Sequence, residues 1–111
     1  MEEIDVTDEE AVLEQIRAQA QADNFRLTLH AQQEMVDENI SLDETLQALA
    51  TGQILENYPQ HRRGACCLVN GLTLHSRPLH VVCTTAQPVL IIITVYEPKP
   101  SKWVTPTQRG R

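Results

Sequence analysis

Two apolar runs in the second half of the sequence carry polar side chains of kinds that move protons. The run at residues 77–83 contains His80, and the run at residues 89–98 contains Tyr96. Packing alone would favour an aliphatic side chain inside such runs. A histidine ordinarily titrates near neutrality and can serve as acid or base. A tyrosine can donate a proton or stack on a nucleobase. Both residues are therefore candidate catalytic groups.

Each candidate also has a structural alternative that the sequence leaves open. A histidine or tyrosine inside a strand is often a core residue with one satisfied hydrogen bond. His30 falls in the first turn of a predicted helix, where it can tether the helix instead of catalysing a reaction. Trp103 can anchor the C-terminal tail as an apolar plug. The paired Cys and His spacing of a zinc site is absent from the sequence.

Helix signals dominate the first half of the chain. Thr7 begins a capping-box pattern for a helix that runs to about residue 24. Thr28 is a candidate cap for a second helix that ends near Asn39. Ser41 begins a second capping box and a third helix. Residues 25–27 are predicted to be a short extended link between the first two helices.

Strand signals dominate the second half. The predicted strands are residues 53–58, 65–70, 79–85 and 89–96. The last two are predicted to form an antiparallel hairpin. Residues 89–95 have no polar face and are predicted to be a central strand buried on both sides. Helices followed by antiparallel strands predict an α+β fold, with the N-terminal helices packed on one antiparallel sheet of about four strands.

The length and composition indicate one domain in a reducing compartment. The chain has 111 residues, enough for one modest core. It divides into an N-terminal helix (1–24), a core (25–98) and a basic tail (99–111). No apolar run approaches the roughly 20 residues of a membrane span. Three cysteines in strand-like sequence do not suit a disulfide framework. These features predict a cytoplasmic protein without a membrane segment.

The net charge of −6 hides a division between the two halves. Residues 1–58 hold 14 acidic residues against two arginines, a net charge of −12. Residues 59–111 hold one glutamate against seven basic residues, a net charge of +6. A nucleic acid would bind the basic half. The alternative is that the acidic helices are merely soluble and the basic residues form a solvated tail.

The order and spacing of several sequence blocks resemble domain of unknown function 4258, a small prokaryotic family similar to the RelE/ParE-like toxins of toxin–antitoxin pairs. The resemblance covers about residues 25–109 and leaves the first helix outside. The chain departs from the family at Glu34 and Glu38, where arginines are typical. The matching blocks are Leu27-Thr28-Leu29-His30-Ala31, Met35, Ile40-Ser41, Gly52-Gln53-Ile54-Leu55-Glu56-Asn57-Tyr58-Pro59, Cys67-Leu68-Val69, Arg77-Pro78-Leu79-His80-Val81-Val82, Ile93-Thr94-Val95-Tyr96-Glu97-Pro98 and Trp103.

The resemblance implies a RelE/ParE-like fold and a metal-independent endoribonuclease that cuts mRNA as the toxin of a type II toxin–antitoxin pair. Such a reaction needs a base for the ribose 2′-hydroxyl, an acid for the leaving 5′-oxygen and cations on the phosphate. The implied catalytic residues are His80, Tyr96 and His30. The implied RNA-binding residues are Arg77, Lys102, Trp103 and Arg109. No metal or other cofactor is implied.

The implied partners are mRNA and a cognate antitoxin, which is of the zinc-finger type in some relatives, and a homo-oligomer is allowed. We expect Arg77, Lys102 and Arg109 to form one patch beside Tyr96, with the carboxylates of the second helix away from it. Two alternatives remain at this stage. One is a catalytically inactive binding module of the same fold, and the other is a ParE-like inhibitor of a protein target.

Overall fold

The computed structural model describes residues 4–100 and 102–110, and the α+β class is confirmed. The helices are α1 (Glu9–Gln21), α2 (Leu29–Asp37) and α3 (Leu42–Thr51). The strands are β1 (Phe25–Leu27), β2 (Gln53–Tyr58), β3 (Cys66–Leu72), β4 (Pro78–Thr84), β5 (Leu90–Tyr96), β6 (Trp103–Thr105) and β7 (Gln108–Arg109). None of the helices in the described ranges is long and apolar enough to cross a bilayer.

Two of the three predicted helix starts are confirmed. Thr28 accepts a hydrogen bond from the Ala31 N–H, and Ser41 forms the predicted capping box. Asn39 has the positive φ, 54°, expected just after the end of α2. The start of α1 was placed one residue too early. The Thr7 hydroxyl binds the Asp5 carboxylate at 2.6 Å, and Asp8 is the residue that caps α1.

The main sheet has five strands in the order β1-β5-β4-β3-β2. The prediction of an entirely antiparallel sheet of about four strands is wrong, because β1 pairs in parallel with β5. β1 has only three residues, too few to show strand alternation in sequence. β5 lies between β1 and β4, so the prediction that segment 89–95 is an interior strand is confirmed, with β4 in the middle of the five strands.

The three helices cover one face of this sheet. On β5, Leu90, Ile92 and Val95 are fully buried beneath them, whereas Ile91 and Thr94 on the other face are half-buried. The prediction that this strand is buried on both faces is therefore wrong. The core between the layers contains Val12, Ile16, Ala31, Met35, Ala48, Leu49, Val69, Leu79, Val81, Ile92 and Val95.

One glycine allows α3 to approach the sheet closely. Gly71 is a β3 residue, and a Cβ there would overlap the Ala48 carbonyl of α3. Residues 99–111 were predicted to be a basic tail. Strands β6 and β7 form an antiparallel ribbon, and its Pro106 carbonyl binds His80 of β4. The ribbon therefore lies on the face of the sheet opposite the helices, which we call the outer face.

Candidate active site

The outer face contains a cleft of about 870 Å³. Its floor is formed by Leu68, Val82 and Thr94, which are register neighbours on β3, β4 and β5. Helix α2 forms one wall. The other wall is formed by Glu97 and Lys99 together with Lys102, Trp103, Arg109 and Gly110 of the C-terminal segment that contains the ribbon. The cleft is therefore bounded by elements from both ends of the chain.

Five of the seven predicted site residues line this cleft, although they lie far apart in sequence. His30 lies on the α2 wall, and Tyr96 lies at the end of β5. His80 does not line the cleft but contacts the Tyr96 hydroxyl from beneath it. Arg77 does not line the cleft either. The five residues that line the cleft are His30, Tyr96, Lys102, Trp103 and Arg109.

His80 is fully buried, and both of its ring nitrogens have partners. Nε2 lies 2.6 Å from the Pro106 carbonyl oxygen, and Nδ1 lies 3.1 Å from the Tyr96 hydroxyl. A carbonyl can only accept, so Nε2 carries the proton and Nδ1 accepts from Tyr96. The Trp103 ring packs edge-on against the imidazole, with 4.4 Å between ring centroids. His80 therefore cannot touch RNA directly and can act only through Tyr96.

Burial changes the acid–base properties of this pair. It lowers the pKa of His80, so the ring stays neutral and able to accept a proton at physiological pH. It also raises the pKa of Tyr96, so that hydroxyl stays protonated. Because the Tyr96 proton points to His80, the Tyr96 oxygen can act as an acceptor towards the cleft.

His30 lies on the opposite wall and is the accessible imidazole of the site. Its side chain is 66% exposed, and Nε2 lies 3.3 Å from Glu34 Oε1, one helical turn away. A protonated imidazole there can donate to this carboxylate. The cleft thus has a buried histidine acting through a tyrosine on one side and an exposed histidine with a carboxylate on the other.

Glu34 and Glu38 bind the edge of β5. Glu34 accepts from the Val95 N–H and Glu38 from the Glu97 N–H, each at 3.0 Å. β1 ends beside Ile92, so this part of β5 lacks a neighbouring strand, and the two carboxylates replace the missing acceptors. Arginine has no acceptor and cannot make these bonds. Glu34 and Glu38 therefore have a structural role here.

These carboxylates also line the cleft, so the expectation that they lie away from its cations is wrong. Burial is the main reason that the pKa of Glu34 is raised. The spacing of Glu34 and Glu38 in sequence shows that they lie on the same side of α2. It does not show that this side faces β5, because the contact between α2 and β5 forms only in the tertiary structure.

Arg77 holds structural elements together instead of joining the cationic patch. Its guanidinium donates to the carbonyls of Glu38 and Asn39, at 2.7 and 3.0 Å. It also lies 3.5 Å from the Glu44 carboxylate and 3.7 Å from that of Glu97. Arg77 is therefore neutralised, and the predicted single patch of Arg77, Lys102 and Arg109 is wrong.

Arg109 clamps the ribbon onto the sheet. It binds the Glu56 carboxylate through two nitrogens, at 2.7 and 2.6 Å, and stacks over Trp103 at 4.7 Å from the ring centroid. The Tyr58 hydroxyl donates to the same carboxylate. Sequence reasoning missed Glu56 because no local pattern relates a β2 residue to the C-terminal tail.

We expect acid to release this clamp. The Arg109 hydrogen bonds lower the pKa of Glu56 from 4.5 to about 2. A depressed folded-state pKa stabilises the fold fully above pH 4.5, and this contribution is lost as the pH falls towards about 2. Emission from Trp103, the only tryptophan, should report the change. Glu56→Gln should lack the transition, and an unchanged transition in that variant would contradict the assignment.

The described residues contain no group of three or more His, Cys, Asp or Glu side chains arranged as ligands for a metal ion. The cleft supplies proton acceptors and donors from His30 and Tyr96 and a cation from Lys102. Its chemistry would then depend on proton transfer and charge.

The fold and site define a class of small α+β protein with helices on one sheet face and a histidine–tyrosine cleft on the other. Residues 27–97 match the family described as Domain of unknown function (DUF4258), and the chain belongs to that family. The match includes α2, His80 and Tyr96 but excludes α1 and the ribbon. No curated protein and no solved structure matches the chain.

Proposed function

We propose that this protein is a metal-independent endoribonuclease of the RelE/ParE-like type, acting as the toxin of a type II toxin–antitoxin pair. The observation that carries the proposal is the convergence of His30 and the Tyr96–His80 pair on one cleft, with Lys102 beside them. The toxin assignment is supported by the family resemblance, and the cleavage chemistry is supported by the cleft.

The Tyr96–His80 pair is suited to be the base. As the ribose 2′-hydroxyl attacks the phosphorus, its proton passes to the Tyr96 oxygen while the Tyr96 proton passes to His80 Nδ1. The Pro106 carbonyl holds the ring in the required tautomer and accepts from Nε2. In this arrangement Tyr96 contacts the substrate, His80 takes the proton from Tyr96, and the Pro106 carbonyl orients the His80 ring. His80 is a positioning and relay residue in this scheme.

His30 is suited to be the acid. The O2′–P bond forms while the P–O5′ bond breaks, and protonated His30 gives its proton to the leaving 5′-oxygen. Glu34 orients the ring from 3.3 Å. The exposed Lys102 can stabilise negative charge on the phosphate oxygens. The products are a 2′,3′-cyclic phosphate and a 5′-hydroxyl.

The balance of charge in the cleft favours a second candidate, a catalytically inactive binding module of the same fold. Three lining carboxylates, Glu34, Glu38 and Glu97, face three lining cations, Lys99, Lys102 and Arg109. A strong polyanion site would have an excess of cations. A protein partner with both charges would fit this lining without any chemistry, as would the target of a ParE-like inhibitor.

Induction in a host cell separates the candidates. The wild-type protein, expressed alone, should arrest growth and fragment mRNA, and co-expression of its chromosomal neighbour should restore growth. Tyr96→Phe removes the proton-accepting oxygen and should abolish fragmentation. Growth arrest with intact mRNA, equal for the wild type and Tyr96→Phe, would favour the binding module or the protein inhibitor.

A further inference from the structure

Three exposed arginines lie outside the cleft, at the two edges of the sheet: Arg26, Arg62 and Arg63. Within residues 4–100 and 102–110, none of the three is within 4 Å of a carboxylate oxygen. They contrast with Arg77 and Arg109, whose charges are compensated. Uncompensated guanidinium groups are the ones available for phosphates.

The position of Arg26 follows from strand alternation. Phe25 and Leu27 pack against the core, so Arg26 between them points to the outer face. Its register partner is Ile91 of β5, and β1 is the outermost strand on that side of the sheet. Arg26 therefore marks one edge of the outer face.

Arg62 and Arg63 lie in the loop between β2 and β3, at the opposite edge. The loop is a tight turn: the His61 N–H binds the Tyr58 carbonyl, and the Gly64 N–H binds that of His61. Tyr58 lines the cleft, so the two arginines follow shortly after a cleft residue. Gly64, with φ of 117°, has the backbone conformation that glycine tolerates best.

One row of neighbouring residues connects these two edges across the sheet. From β2 to β1 the row is Tyr58, Cys66, Thr84, Ile91 and Arg26. Its members are register partners except for Thr84 and Ile91, which are joined by a hydrogen bond from the Ile91 N–H to the Thr84 hydroxyl. Four inter-strand spacings of about 4.8 Å make the row roughly 19 Å long. That length is several nucleotides of a single strand, so only an RNA longer than a dinucleotide can contact both edges at once.

The opposite layer of the molecule has the opposite charge. Glu9, Glu10 and Glu14 of α1 line a groove on the helical side. The uneven charge distribution of the sequence is thus a difference between acidic α1 on the helical side and exposed arginines at the two edges of the sheet. A polyanion approaching the protein would be directed to the outer face.

We propose that the outer face is a track for single-stranded RNA, in which Arg26 and the Arg62–Arg63 loop hold phosphates of nucleotides outside the cleft. This inference rests on the proposed function. It also explains how a cleft with balanced charge can act on RNA, because the phosphate contacts that supply affinity lie outside it. The substrate class is then a single-stranded RNA longer than the cleft itself.

Binding of a non-cleavable RNA tests the track separately from catalysis. The probe is a 2′-O-methyl single strand of about 12 nucleotides, compared with a dinucleotide, over a range of salt concentrations. Arg62→Gln with Arg63→Gln should make the salt slope of log affinity shallower by about 1.4, at about 0.7 for each lost phosphate contact. Dinucleotide binding should not change.

A matched control changes net charge equally on the other layer. Ala18→Glu with Gln21→Glu alters two exposed α1 positions and also lowers the charge by two. It should leave the slope unchanged. The inference is overturned if the arginine variant keeps the wild-type slope, if the control lowers the slope equally, or if the wild type does not bind the longer strand. A reduced slope in the arginine variant, with no cleavage of natural RNA by the wild type, would support the track and refute the ribonuclease.

Discussion

Replacing His30 by glutamine is expected to slow cleavage of single-stranded RNA by about 100-fold or more, the usual contribution of one general acid or base. The fold should be unaffected, because this side chain is 66% exposed and its only ion-pair partner in the described structure is Glu34. The measurement is an initial rate of cleavage paired with a melting curve. A large loss of rate with an unchanged melting temperature is the expected result.

The matched control for this variant is His75→Gln. His75 is exposed in the turn between β3 and β4 and is not a lining residue of the cleft. Its replacement should leave both rate and melting temperature near the wild-type values. Equal rates for His30→Gln and wild type would remove His30 from the mechanism.

His80→Ala is expected to destabilise the protein strongly. The buried ring packs against Trp103 and accepts from Tyr96, and it also donates to the Pro106 carbonyl. Loss of a buried ring and its hydrogen bonds should cost about 3 kcal/mol. For a domain of this size, that is a fall in melting temperature of roughly 15 °C. Undocking of the ribbon should also shift the emission of Trp103.

The His80→Gln variant is a control that separates the loss of ring packing from the loss of hydrogen bonds. A glutamine amide can donate to the Pro106 carbonyl and accept from Tyr96, so part of the lost stability should return. Activity should stay low in this variant because an amide is not a base. A His80→Ala protein that melts like the wild type would contradict the anchoring role of this residue.

Sequence reasoning found features that depend on local interactions. The Thr28 and Ser41 caps involve residues within four positions of each other, and both are confirmed. The β4–β5 hairpin is also confirmed. It could be predicted because a short connection joins its two strands. The neighbourhood of His80 and Tyr96 follows from that hairpin, because the two residues are register partners.

Features that depend on distant pairs could not be predicted. The β1–β5 pairing joins residues 25–27 to residues 90–92, with three strands of the sheet between them in sequence. The Glu56–Arg109 clamp and the Glu34–Val95 bond likewise join residues more than 50 positions apart. Charge counting in sequence treats all arginines alike, so it could not separate a neutralised Arg77 from a free Arg62.

The central claim is that this cleft cleaves RNA by proton transfer without a metal. Purified protein should be incubated with a labelled single-stranded RNA in the presence of a metal chelator, and the ends of the products identified. Cleavage by the wild type, with 2′,3′-cyclic phosphate and 5′-hydroxyl ends and none from Tyr96→Phe, is the predicted result. Intact RNA, or products with 3′-hydroxyl ends, would contradict the account.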